Sequence, residues 1–158
     1  MGSSFAHLNI AVNAGCRDAP KATIYSYGKN NHGATGNVNG VIIGTSAATH
    51  ATDIAHWLSL GTSPCNLQCA RPQRTPDTSP IPAPDADVEH AAQNVIENTP
   101  YSPFGGPFGT NSNSAAAAVA NHAAGSPVPL PRNGHFVPGA PNAGNIGIRP
   151  KRMYESWN

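Results

Sequence analysis

Residues 5–12 (FAHLNIAV) alternate strictly. Phe5, His7, Asn9 and Ala11 fall on one side, and Ala6, Leu8, Ile10 and Val12 on the other. A period of two predicts a half-buried strand, with His7 near its start on the more polar face. Residues 13–21 carry Gly15 and Pro20 and predict a turn. Residues 23–27 (TIYSY) are β-branched and aromatic, which predicts a second strand paired antiparallel to the first. The polar, glycine-rich stretch 28–40 predicts a loop holding His32. Its glycines lack the fixed offsets and the Lys-Ser/Thr ending of a phosphate loop. Residues 41–44 predict a short third strand. Residues 45–60 predict a helix with Ile54, Trp57 and Leu58 on its apolar side and Thr49 or Thr52 as cap.

Helical periodicity is clearest at residues 85–98 (DADVEHAAQNVIEN). Val88, Ala91, Ala92, Val95 and Ile96 form one stripe, Asp85 or Asp87 is placed to cap it, and Pro100 ends it. The stretch around which the rest is organised is 101–125, YSPFGGPFGTNSNSAAAAVANHAAG. A Pro/Gly loop empties into the tetrad Asn111-Ser112-Asn113-Ser114 and then into alanines. Asn and Ser favour helix starts because a short side-chain oxygen accepts from the free N–H groups of the first turn. Alanine has the highest helix propensity, and Gly125 followed by Pro127 is a stop signal.

Between and after these elements lie loops. Residues 61–84 hold six prolines and little hydrophobic periodicity, which predicts a long surface loop. Residues 126–158 are again rich in Pro and Gly and predict a C-terminal strap. There, Phe136-Val137 and Ile146-Gly147-Ile148 are the short apolar segments, and Tyr154 and Trp157 are expected to pack back on the body. With 158 residues, of which 16 are Gly and 16 Pro, the expectation is one α+β domain (1–158). It would be a small antiparallel sheet packed with three helices and joined by long Pro/Gly-rich loops.

Charge narrows the function. Charged residues make up 11% of the chain and the net charge is +1. No such field suits a phosphate backbone, and nucleic acid is not expected as a partner. The cluster Arg149, Lys151 and Arg152 reads as a solvated tail. No apolar run reaches membrane-spanning length, which predicts no stable membrane insertion, and no signal peptide is visible. Residues 1–4 (MGSS) resemble a cloning remnant, which implies a piece of a longer protein. Cys16, Cys65 and Cys69 are an odd number; a disulfide is open, and a zinc site lacks a second pair.

None of the seven histidines sits at a metal-ligand spacing, and no cofactor or metal is expected. His7 differs from the others because a strand is a rigid mount for a general base. The cysteines lie in loops without the positive surroundings a reactive thiolate needs. No G-x-S-x-G elbow is present. Ser112 opens a helix, where free donors and partial positive charge stabilise an oxyanion. The tetrad also reads as nothing more than a capped helix.

Residues 98–125, with Tyr101, Pro103, Gly109, Asn111-Ser112-Asn113-Ser114 and Gly125, resemble a module at the C-termini of bacterial RHS-repeat polymorphic toxins. There a Tyr, a Pro and a Gly lead into an N-S-N-S/T helix start, and a Pro-rich tail reaches Pro-Gly, as Pro138-Gly139 does here. The order of an early strand histidine and a late helix start is also similar to circularly permuted papain-like proteins. In those the nucleophile is an Asn-Cys cysteine, where this chain has Ser112, a weaker nucleophile near neutral pH.

These resemblances imply a secreted or target-cell-delivered antagonistic effector of the type VI or RHS kind, acting as a hydrolase or acyltransferase on an amide or ester bond. His7 would be the base, Ser112 the nucleophile and Asn111 its orienting neighbour, with the N–H groups of Asn113 and Ser114 as oxyanion donors. An immunity protein and an RHS or secretion-apparatus carrier would be its partners. The alternatives are a non-enzymatic binding or structural module, in which Ser112 contributes only to the cap, and an ADP-ribosyl- or nucleotide-acting toxin.

Overall fold

The computed structural model of the chain describes residues 7–12, 23–29, 38–39, 79–96, 101–102, 109–131 and 136–151. Strands β1 (Ile10–Val12) and β2 (Thr23–Tyr25) pair antiparallel, with Ile10 opposite Tyr25, Ala11 opposite Ile24 and Val12 opposite Thr23. As the alternation in 5–12 requires, Ile10 and Val12 are buried and Ala11 less so. The second strand departs from alternation, because Ile24, Tyr25, Ser26 and Tyr27 are all buried. The stretch 28–40 is not wholly a loop. Its ends form a second antiparallel pair, β3 (Gly28–Lys29) with β4 (Val38–Asn39).

Helix α1 (Asp85–Gln93) packs against β1 and buries Val88, Ala91 and Ala92. Tyr25 Oη donates to Glu89 at 3.2 Å and accepts from Gln93 Nε2 at 3.1 Å, and Tyr27 Oη points at the Ala92 carbonyl. Two expectations need correction. Pro84, not an aspartate, occupies the cap position, and no side chain caps the helix. The Pro84 carbonyl accepts from the N–H groups of Asp87 and Val88, while Asp85 and Asp87 sit in the first turn, where their charge complements the helix dipole. The helix also stops at Gln93 rather than near Pro100. Val95 pairs antiparallel with Ile148, Ile96 N–H donates to Gly147 O and Arg149 N–H to Asn94 O. Pairing with a distant segment satisfies the backbone as well as another helical turn would, and it buries Val95 and Ile146 together with the core.

Among the described residues, helix α2 (Ser112–Ala124) is the central element. Every residue from Ser112 to Ala120 is buried, so the helix has no solvent face in its first half. Helix α1, strand β1 and a 3-10 helix (Ala140–Asn145) pack around it. Small side chains explain this. Alanine and serine let neighbouring backbones approach from all sides, and dispersion between close-packed atoms replaces the area that larger side chains would bury. Gly125 closes the helix in the left-handed region, at φ 67°, where glycine is the residue of least strain. The chain therefore has a small α+β fold. Among the described residues it comprises two short antiparallel pairs, two α-helices and the 3-10 helix. The helix expected at 45–60, the strand at 41–44, most of the loop at 61–84, the three cysteines, and Tyr154 and Trp157 lie outside the described residues.

Candidate functional site

The start of α2 is a fully formed capping box. Asn111 is the N-cap, with Oδ1 accepting from Asn113 N–H at 2.9 Å and Ser114 N–H at 3.2 Å. Ser114 Oγ completes the box, accepting from Asn111 N–H at 3.1 Å while donating to Gly139 O at 2.6 Å. The Pro138 carbonyl accepts from both Asn111 Nδ2 and Asn113 Nδ2, each at 3.0 Å. The Pro138-Gly139 turn thus grips the helix start. Gly139 has φ 82°. A Cβ there would also fall on the Asn111 carboxamide, so glycine is required on both counts.

The strand side joins through Asn113. Its Oδ1 accepts from Leu8 N–H at 2.8 Å, which brings the residues before β1 against the helix start. His7 lies there, and its Nδ1 is 3.1 Å from Ser112 Oγ, across a separation of 105 residues. Ser112 is 8% exposed and His7 is on the open side. With the ring proton on Nε2, the hydroxyl donates to Nδ1, which is the hydrogen bond a nucleophile–base pair needs.

A helix start leaves the N–H groups of the cap and of its first three residues without helical partners. Here those of Asn111, Asn113 and Ser114 are engaged inside the capping box. The N–H of Ser112 itself has no acceptor among the described residues. The N–H groups of Asn113 and Ser114, the expected oxyanion donors, both donate to the Asn111 carboxamide. The first-turn donor without an acceptor among the described residues belongs to Ser112. Asn111, expected to flank and orient the nucleophile, is the N-cap of the helix that Ser112 opens. Ser112 is not part of the cap; it is the first helical residue, and its side chain faces His7.

The other histidines in view, His90 and His122, lie in the last turns of α1 and α2, away from this cluster. Among the described residues no group of three or more His, Cys, Asp or Glu is placed to hold a metal ion, and no helix is long and apolar enough to cross a membrane. A shallow groove of about 310 Å³ runs beside the C-terminal half of α2, lined by Ala118, His122, Pro127 and Ile146 among others. Neither His7 nor Ser112 borders it, so groove and pair are separate features.

Sequence reasoning pairs His7 with Ser112 but has no means of finding the Asn113 carboxamide or the Pro138-Gly139 carbonyls as the parts that assemble them. These contacts span 25 to 105 residues and leave no local spacing. Comparison with known proteins finds no matching family model, no similar curated protein and no similar solved structure.

Proposed function

We propose that this chain is a hydrolase or acyltransferase acting on an amide or ester bond, with Ser112 as nucleophile and His7 as general base, and that it serves as the effector domain of a bacterial antagonistic toxin of the RHS or type VI kind. The 3.1 Å approach of His7 Nδ1 to Ser112 Oγ carries the chemical part. The likeness of residues 98–125 to the toxin module carries the biological part, and with it delivery into a target cell and a cognate immunity protein.

In this reading Ser112 Oγ attacks a carbonyl carbon as its proton passes to His7 Nδ1. The carbonyl oxygen takes up negative charge beside the Ser112 N–H and the positive end of α2. As the tetrahedral intermediate collapses, the bond to the amine or alcohol breaks, and that leaving group takes the proton from His7. Water, or an acceptor hydroxyl or amine, then repeats the sequence on the acyl-enzyme.

The test is expression in the bacterial cytoplasm and periplasm, with labelling by a fluorophosphonate, which reacts with activated serines. The intact chain is toxic and labelled. Ser112→Ala and His7→Ala each reduce both readouts by roughly a thousandfold or more. Full toxicity in both variants overturns the assignment. The completeness of the capping box favours one other reading, a non-enzymatic module in which Asn111 and Ser114 only build the helix start. That reading requires an unlabelled Ser112 in a folded protein.

A further inference from the structure

Asn113 is the side chain through which the two halves of the candidate pair meet. It is 3% exposed, and its carboxamide makes contacts in two directions. Oδ1 holds Leu8 N–H at 2.8 Å, and Nδ2 holds Pro138 O at 3.0 Å. The first contact fixes the backbone directly after His7. The second fixes the carboxamide plane, because an amide whose nitrogen is held cannot flip to offer that nitrogen to Leu8. Asn113 follows Ser112 in the first turn of α2, so one residue ties the nucleophile's own turn to the strand bearing the base. A hydrogen bond to a buried carboxamide is directional, and leaving either end unmade is costly.

We infer that Asn113 is a positioning residue, whose carboxamide sets the His7 ring at bonding distance from Ser112. The inference rests on the His7–Ser112 reading above. It assigns Asn113 a role through its side chain in place of its backbone N–H, which is engaged by Asn111.

The experiment needs no substrate. In a chain carrying Cys16→Ser, Cys65→Ser and Cys69→Ser, Ser112→Cys places one thiol at the site. Its alkylation by iodoacetamide is followed against pH. A thiol beside an imidazolium ionises below the ordinary value of about 8.5 and stays reactive in mildly acidic solution. Adding His7→Ala slows alkylation by roughly three- to tenfold at about pH 6.5. Adding Asn113→Ala instead gives the same slowing and the same profile, although His7 is intact. A merely structural loss would lower the melting temperature without moving the profile towards that of the His7→Ala chain.

Two failures are distinguishable. If His7→Ala leaves the profile unchanged, the pair does not couple and the underlying reading falls. If His7→Ala shifts it and a folded Asn113→Ala chain does not, the pair stands and the positioning role falls. Should Asn113→Ala not fold, Asn113→Ser is the milder variant, expected to give a profile between the two. Exchange of the Leu8 amide in the unsubstituted protein tests the same contact. A Leu8 amide that exchanges as freely as an unstructured one overturns the inference.

Discussion

At the scale of single residues, the tetrad divides its labour by position rather than by type. Asn111 and Ser114 share a capping box, Asn113 bridges strand and turn, and Ser112 turns its side chain to His7. Stability and chemistry therefore separate by substitution. Asn111→Ala removes the cap and is expected to cost about 1–2 kcal/mol. Ser112→Ala puts the best helix former at the first helical position against the loss of one hydrogen bond to an exposed His7, and is expected to cost less than Asn111→Ala. Urea unfolding of the two variants checks the ordering, and an equal loss at Ser112 would mean that it caps after all.

The two left-handed glycines make a second contrast. Gly125 has open space around it. Gly125→Ala therefore meets only the backbone penalty, about 1–2 kcal/mol. Gly139→Ala adds a collision with the Asn111 carboxamide and is expected to cost more than Gly125→Ala by thermal melting.

At the scale of elements, α2 has an unusual problem to solve. A helical stretch buried on all sides, as residues 112–120 are, cannot be recognised by an amphipathic stripe, and it cannot carry long side chains. The run of alanines answers both, while leaving little apolar area per residue. Ala116 is 1% exposed, so any added atoms would have to fit inside the packed interior. Ala116→Leu is expected to destabilise by about 1–3 kcal/mol through overpacking, despite leucine's good helix propensity and added hydrophobicity. A gain in melting temperature would show that the space around α2 is looser than its burial implies. The end of α1 teaches a related point. Residues 94–96 continue the helical stripe in sequence, yet they leave the helix because Gly147 and Arg149 offer a strand-like partner.

At the scale of the whole molecule, the sheet and α1 are joined by two buried phenols. Burial pushes the Tyr27 hydroxyl above its ordinary value of 10.0, with Tyr25 adding to the shift. Burial also raises Tyr25, reinforced by the Glu89 charge and opposed by the Gln93 hydrogen bond. Both keep their protons in the folded chain at a pH where the unfolded chain loses them. The folded state then binds more protons, so the stabilisation is complete below about pH 10 and declines as pH rises beyond it. Tyr27→Phe is expected to make the alkaline decline shallower, measured as the urea midpoint between about pH 9 and about pH 11. An unchanged slope would mean that the Tyr27 phenol does not control alkaline unfolding.

Much of the architecture was legible along the chain because its causes are local. Alternation from Phe5 to Val12 places Ile10 and Val12 inside whatever covers them, since successive strand side chains point to opposite faces. Asn and Ser before a run of alanines start a helix, and Gly125 ends it, because cap geometry and left-handed backbone involve only a few neighbouring residues. Where α1 would stop and how the tetrad would be anchored to the rest of the chain depended on groups far away in sequence. The carbonyls of Pro138 and Gly139, the Ile148 pairing and the Leu8 amide made those choices. A hydrogen bond needs its partner at a set distance and angle, and only the folded chain brings residues 7 and 112 within that reach.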